Sequence, residues 1–386
     1  LGPETTAQAL QYAPTAGLPR LVEHLRALQV REHRPPAPIA GDLRVQVTTG
    51  SQDALAKAFE MLLTPEDTLL LERPCYSGAL AFLEPLGCHL AATGTDGEGI
   101  VPEEMAALLA NWGSSAAGRA GAPKPRVLYT IPVGSNPTGA SLSAERKAAI
   151  YEVARKHGMI IMEDDPYYYI QFNEGGARTP SFLSMDVDGR VLRFDSFSKL
   201  VSSGLRLGFV TGPSQLLDRL ELHQQATSLH TSGVSQAIAT ALFDHWQGQS
   251  GAGDRWQRFE EHVSKVCALY RSQRDSALSS AEKHLAGLAR WHAPRAGMFL
   301  WLELLGVQDS SRLVKEEAVK EGVILVPGGS FVAHASPGAA AACGGGRPLS
   351  PHVRASFSTA LPQEIDEAMA RLARVLRRTA PTPSSL

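Results

Sequence analysis

Lys199 lies in DSFSKLVSSGLRLGF, residues 195–209, an ammonium set among serines, glycines and apolar neighbours rather than on a charged face. Burying an ammonium is costly and lowers its pKa, and an amine so depressed is ready to act as nucleophile or base. Ser196 and Ser198 flank it closely, and Arg206 follows seven positions on. Two hydroxyls and a guanidinium make a phosphate cradle, with the arginine supplying the bidentate donor.

Residues of the same kind recur elsewhere. In TTGSQDAL (48–55) Gly50 permits a tight turn, and the Ser51 and Gln52 N–H groups open a helix that can hold an anion; a plain serine cap fits equally well. Tyr76 in ERPCYSG follows a proline-held loop, so its ring either lies on a flat ligand or edges the core. In VGSNPTG (133–139) Asn136 sits in a turn held by Pro137. Gly134 and Gly139 have P-loop spacing, but Ala140 stands where the phosphate-binding lysine belongs, and Pro137 excludes N-glycosylation.

EDDPYYY (163–169) places three acids in a row. They form either a solvated or metal-like cluster, without a nearby histidine to complete a transition-metal site, or a strand end with alternating side chains. In the second case only one acid need enter a cleft, and Asp164 with Tyr167 can grip two atoms of one ring. A phosphate site, a carboxylate for a ring nitrogen, an amide and a phenol for a ring oxygen and an imine-forming lysine together describe pyridoxal phosphate.

The elements that must position these residues alternate. Apolar runs at 44–50, 67–72, 126–132, 159–164, 191–197 and 207–212 read as strands. Helical stretches lie between them, such as SAERKAAIYEVARKHG, capped by Ser143 and ended by Gly158. The pattern predicts an α/β fold with a mostly parallel sheet covered by helices on both faces. Ligands of such sheets bind beyond the carboxyl ends of the strands, where the residues above fall. From about 214 the texture turns helical, then returns to GMFLWLEL, GVILVPGG and VRASFS, as expected of a smaller α+β domain. We expect a large domain over 1–245 and a small one over 246–386. The Gly/Ala/Pro-rich stretches 113–125 and 335–351 read as surface insertions.

Apolar residues make up 44% and charged residues 20% of the 386, an ordinary globular balance. A net charge of -2 offers no basic field for nucleic acid or anionic lipid, and no apolar run approaches a membrane span. The four cysteines form no C-x-x-C pair, which argues against a disulfide framework or zinc site. No metal is expected. The opening LGPETTAQALQYAP shows no signal-peptide pattern, so a mature or truncated chain is expected, soluble and intracellular, in cytoplasm or mitochondrial matrix.

SNPTG, EDDPYYY, DSFSKLVSSGLRLGF and VRASFS resemble the markers of the fold-type I, class I/II aminotransferases. LQYAPTAGLPRLVEHL, GSQDALAKAFEMLL, the block 181–213 and WHAPRAGMFLWLEL are similar to the kynurenine/α-aminoadipate branch. The likeness covers nearly the whole chain apart from the two insertions. It implies that Lys199 holds the cofactor covalently and shuttles a proton, and that Asp164 pairs with the pyridine nitrogen. Asn136 and Tyr167 would bond the ring oxygen, and Tyr76 would stack on the ring. Ser51, Gln52, Ser196, Ser198 and Arg206 would hold the phosphate. Tyr12 would reach the phosphate of a neighbouring subunit, which implies a homodimer. Arg354 would clamp the substrate carboxylate, where the residues alone allow a surface arginine just as well. Asn136 and Tyr76 would also line the substrate.

The implied reaction moves an amino group from an L-amino acid donor, 2-aminoadipate, kynurenine or an aromatic or branched one, to 2-oxoglutarate. The alternatives are a β-lyase or cyclopropane-forming synthase on the same scaffold, or the sensor domain of a transcription regulator. The family carries a longer segment ahead of the stretch matching QYAPTAG, which helps cover the substrate. Tyr12 is otherwise a helix-packing residue, and His230, His292 and His352 are expected to be structural.

Overall fold

The computed structural model describes residues 2–247, 256–333 and 349–379. The strands are β1 (Leu43–Thr48), β2 (Thr68–Leu71), β3 (His89–Ala92), the hairpin β4 (Thr95–Asp96) and β5 (Gly99–Ile100), β6 (Val127–Thr130), β7 (Ile160–Asp164), β8 (Val191–Ser196) and β9 (Gly208–Pro213). Every strand expected in this region forms, within two residues at each end. β3 was not anticipated: HLAA lacks the β-branched and aromatic residues that mark its neighbours, and it lies at the sheet edge.

Seven strands form one sheet in the order β1-β9-β8-β7-β6-β2-β3. β8, β7, β6, β2 and β3 run parallel, as expected, while β9 is antiparallel to both β8 and β1. A parallel return needs a crossover, usually through a helix. Residues 197–207 instead fold into two short helical turns, a π turn over Ser198–Ser202 and a 3-10 turn over Ser203–Leu205, so the chain comes straight back. That reversal holds Lys199 and Arg206 together at the sheet's end.

Because side chains alternate, each strand feeds two cores. Leu71, Tyr129, Met162 and Phe194 join one face with the helix Ser51–Leu62, whereas Leu70, Leu128, Ile161 and Val191 join the other with the helix Ala144–Lys156. The latter helix opens as its sequence implied, the Arg146 N–H donating to Ser143 Oγ at 3.2 Å.

Farther along, β10 (Ala289–Arg290), β11 (Phe299–Leu304), β12 (Val326–Pro327) and β13 (His352–Ser356) form an antiparallel sheet in the order β10-β11-β13-β12. The helices Gln257–Leu285 and Pro362–Thr379 accompany it. The Tyr129 core runs unbroken into this region through Ala277, Leu300, Val353 and Leu372. Backbones also meet there: a Cβ on Gly134 would lie 2.7 Å from Gly297 N, so neither loop tolerates a side chain at the join.

The segment 113–125 is more than a surface insertion. It carries a short helix, Ala116–Arg119, and the buried Trp112 donates its Nε1–H to the Ala122 carbonyl at 2.9 Å, which anchors both ends. Of the second stretch, 335–348 lie outside the described residues.

Candidate active site

The parallel strands and the β8–β9 turn deliver polar side chains to one cavity of about 360 Å³ at the sheet's carboxyl end. Ser51 and Gln52 begin the helix after β1, Tyr76 follows β2, Asn136 follows β6, and Asp164 ends β7 just before Tyr167. Ser196 ends β8, Ser198 and Lys199 open the next turn, and Arg206 closes it before β9. Phe299 of β11 and Arg354 of β13 complete the wall from the second sheet.

Of the three consecutive acids, only Asp164 enters this cavity. Its Oδ2 accepts the Tyr129 hydroxyl at 2.8 Å, while its Oδ1 is buried without a partner. Burial pushes its pKa up to about 7; the Tyr129 hydrogen bond opposes the rise and Asp165 and Asp195 add to it. An enclosed carboxylate with one idle oxygen is suited to a cationic N–H. Glu163 and Asp165 turn away, both onto Arg193. All three acids are buried, so the solvated-cluster alternative is ruled out.

At the other end of the cavity the donors gather. Ser198 N–H donates to Ser196 Oγ at 3.2 Å, and Arg206 Nη1 donates to Ser198 Oγ at 3.4 Å and to the Ser203 carbonyl at 3.2 Å. Arg206 takes a left-handed backbone, φ 50°. Gly50, φ 80°, leaves room for it: a Cβ there would lie 2.7 Å from Arg206 Nη2. The amino end of the helix Ser51–Leu62 faces the same space and favours an anion. Gln52 spends its side-chain amide on the Gly78 carbonyl at 2.9 Å, which leaves its backbone N–H for that role.

Lys199 is partly buried, and burial, then the Arg206 and Arg354 guanidinium groups, lower its pKa. Burial raises the pKa of both Tyr76 and Tyr167, with Asp164 adding to it, so both phenols stay protonated and able to donate. Tyr167 is held edge-on against Phe299, ring centroids 5.9 Å apart.

Arg354 is not a surface arginine. Its Nη1 donates to Asn136 Oδ1 at 2.7 Å, and its guanidinium lies over the Phe299 and Phe331 rings, 4.3 and 5.0 Å from their centroids. Its Nε is buried without a partner, and burial lowers its pKa. Among the described residues no carboxylate pairs with it. A half-buried cation of this kind is suited to an anion.

Tyr12 stands outside this cavity, 84% exposed, its ring edge-on to His230 at 6.0 Å. His352 stacks on Trp301 at 5.0 Å, as befits a structural histidine. Sequence reasoning missed Tyr129, Phe299 and Glu72. Tyr129 was legible as the polar member of a buried strand face. Glu72 is buried and accepts from Ser135 Oγ at 3.1 Å, Ile131 N at 3.2 Å and Thr130 Oγ1, holding the turn that carries Asn136. Burial pushes its pKa up to about 7.

Residues 4–372 match the family of class I and II aminotransferases, and the chain belongs to it. The kynurenine/alpha-aminoadipate aminotransferase, mitochondrial, of Bos taurus is 44% identical over 376 residues, covering 96% of this chain and 84% of that protein. A Pyrococcus horikoshii kynurenine aminotransferase, solved with PMP, is 26% identical with a TM-score of 0.84 over 98% of this chain and 84% of its own. LysN, an alpha-aminoadipate aminotransferase from Thermus thermophilus complexed with N-(5'-phosphopyridoxyl)-L-leucine, is 27% identical with a TM-score of 0.80 over 97% and 85%. The fold is that of fold-type I transferases, the activity is transamination, and the cofactor is pyridoxal 5'-phosphate. The idle Asp164 Oδ1, the depressed Lys199 and the donors around Arg206 fit that cofactor. The lyase, synthase and sensor alternatives are not favoured. No helix among the described residues is long and apolar enough to cross a membrane.

Proposed function

We propose that this chain transfers the amino group of a long acidic or aromatic L-amino acid, 2-aminoadipate or kynurenine, to 2-oxoglutarate. The observation that carries transamination is Arg354, a half-buried cation that no carboxylate among the described residues pairs with, facing the same cavity as Lys199 and Asp164. The names of the Bos taurus and Pyrococcus horikoshii relatives support the choice of donor. When bound, pyridoxal phosphate carries the amino group between the two half-reactions and draws electrons from the substrate α-carbon.

Each side chain has a place in this reading. Lys199 holds the cofactor covalently and, once displaced, takes up the α-proton as a free amine; its lowered pKa supports that role. Asp164 uses Oδ1 to keep the ring nitrogen protonated. Asn136 gives its Oδ1 to Arg354, which leaves its Nδ2 to donate to the ring oxygen beside Tyr167. Tyr76 covers the ring. Ser51 and Gln52 N–H groups, Ser196, Ser198 and Arg206 grip the phosphate. Arg354 binds the α-carboxylate through two parallel hydrogen bonds.

Two further parts of the reading concern the whole molecule. Residues 1–245 supply the cofactor's contacts and 246–386 the carboxylate clamp, with Asn136 linking the two. The exposed Tyr12 reaches the site of a second copy in a homodimer. A setting in cytoplasm or mitochondrial matrix completes the reading. A screen of amino donors against 2-oxoglutarate tests it: glutamate and the donor's 2-oxo acid should form in equal amounts. Pyruvate and ammonia from a cysteine conjugate, without glutamate, would instead mark a lyase.

A further inference from the structure

We propose that Arg193 is a positioning residue of this active site: from the far face of the sheet its guanidinium clamps the ends of β7 and β8, and so sets the spacing between Asp164 and Ser196. The inference rests on the reading of those two residues as cofactor contacts.

Strand geometry makes the connection. Glu163 is paired in register with Arg193, and Asp164 with Phe194. Side chains alternate along each strand, so Arg193, Asp195 and Glu163 share one face while Asp164 and Ser196 share the other. Arg193 is wholly buried and reaches three carboxylates: Nη1 to Asp165 at 2.9 Å and Glu163 at 3.2 Å, and Nη2 to Asp195 at 3.0 Å. Asp165 directly follows Asp164, and Asp195 directly precedes Ser196. One planar group therefore spans the two strands at the level where both cofactor contacts leave the sheet.

The clamp is itself held. Tyr168 lies under the guanidinium, its ring centroid 4.7 Å from Cζ. Glu163 is fixed from a third direction by the Phe182 and Leu183 N–H groups at 2.8 and 3.3 Å. Two further charges lie nearby: Lys147 donates to the Pro180 carbonyl at 2.8 Å, and the Arg178 guanidinium lies 5.9 Å from the centroid of the same Tyr168 ring. A lysine in place of Arg193 would keep the charge but lose the fork that reaches both strands.

Electrostatics alone predicts the opposite outcome, which makes the inference testable. Removing the Asp195 charge makes Asp164 easier to ionise and reduces repulsion of the phosphate, so by charge alone cofactor binding should tighten. Loss of the clamp should loosen it.

The test measures the dissociation constant of pyridoxal phosphate by equilibrium dialysis of the full chain, well below its Tm. Asp195→Ala should raise Kd about tenfold, the scale of one charged hydrogen bond, whereas Asp195→Asn, which keeps an acceptor, should stay within about twofold. Arg193→Lys should resemble Asp195→Ala; if it does not fold, the Asp195 pair decides alone. Tyr151→Phe, which removes a 3.0 Å hydrogen bond to Asp186 in the core on the same face, should lower Tm without moving Kd. An unchanged or tighter Kd in Asp195→Ala overturns the clamp, and so does an Asp195→Asn as weak as the alanine variant. Ser196→Ala and Asp164→Asn separate the two ideas: if neither weakens binding, the cofactor reading itself has failed, whereas weakening there with none in Asp195→Ala condemns only Arg193.

Discussion

At the ends of β7 and β8 the two faces of the sheet carry charge in different ways. On the far face Arg193 is enclosed by Glu163, Asp165 and Asp195, so its charge is answered within the chain. On the cavity face Asp164, Lys199, Arg206 and Arg354 lie together, and none of them pairs with an opposite charge among the described residues. Adjacent residues of one strand, Asp164 and Asp165, fall on opposite sides of this divide. Buried charge is tolerated only when compensated. The far face pairs its guanidinium with carboxylates of the same chain, whereas on the cavity face the buried Asp164 and the half-buried Lys199 and Arg354 have no such partner among the described residues.

Lys199→Ala should break the cavity face most severely. With Lys199 as the proposed carrier of the α-proton, its loss should lower transamination by ~10⁴-fold, the upper range for general acid–base catalysis, while cofactor still binds non-covalently. Borohydride treatment of the unaltered protein should fix the cofactor on the Lys199 peptide, and an adduct on another lysine would overturn the assignment. Asp164→Asn should come next. In the proposed reading it removes the charge that supports the ring as electrons move into it, so kcat should fall by several kcal/mol of barrier, on the order seen for lost electrostatic stabilisation. Near-normal turnover would transfer the role to Glu163 or Asp165, in spite of their engagement with Arg193.

Arg354→Ala should cost about 2–5 kcal/mol of binding for every donor, the scale for truncating one side of a desolvated charge pair. The ranking of donors should not change, because all present the same carboxylate. A reordered series in parallel kcat/KM measurements would mean that Arg354 reads the side chain.

The acid–base balance of the two faces gives a smaller effect. Asp164 rises from its ordinary 3.8 to about 7 in the fold, so between these values the folded chain holds a proton that the unfolded chain has lost. Stability of the cofactor-free protein should therefore fall as pH rises from about 4 to about 7. Glu72 and Asp195, also raised to about 7 by burial, add to the same slope. Asp164→Asn should flatten it by up to about 1.4 kcal/mol per pH unit, one proton's share. Denaturant titrations at several pH values measure this, and an unchanged slope would show that Asp164 holds no such proton. Smallest of all, Ser198→Ala should weaken pyridoxal phosphate by about 1 kcal/mol, one hydrogen bond. Binding of pyridoxal, which has no phosphate, should be unaffected.

Much of this site was legible because its residues lie just after short apolar runs, and strand ends are a local property of the chain. Ser51, Tyr76, Asn136, Asp164, Ser196, Lys199 and Arg206 could each be placed by the run before or after them, and the pleat already implied that only one acid of three need enter the cleft. Tertiary structure decided the rest. It selected Asp164 by closing Arg193 over Glu163 and Asp165 from the neighbouring strand, and it gave Asp164 its partner Tyr129 from another. It half-buried Arg354, which the residues alone could not distinguish from a surface arginine, and paired it with Asn136, 218 positions away. Local sequence sets backbone propensity and side-chain alternation over a few residues. Charge compensation depends on which groups meet across strands and between sheets, and only the folded chain brings those together.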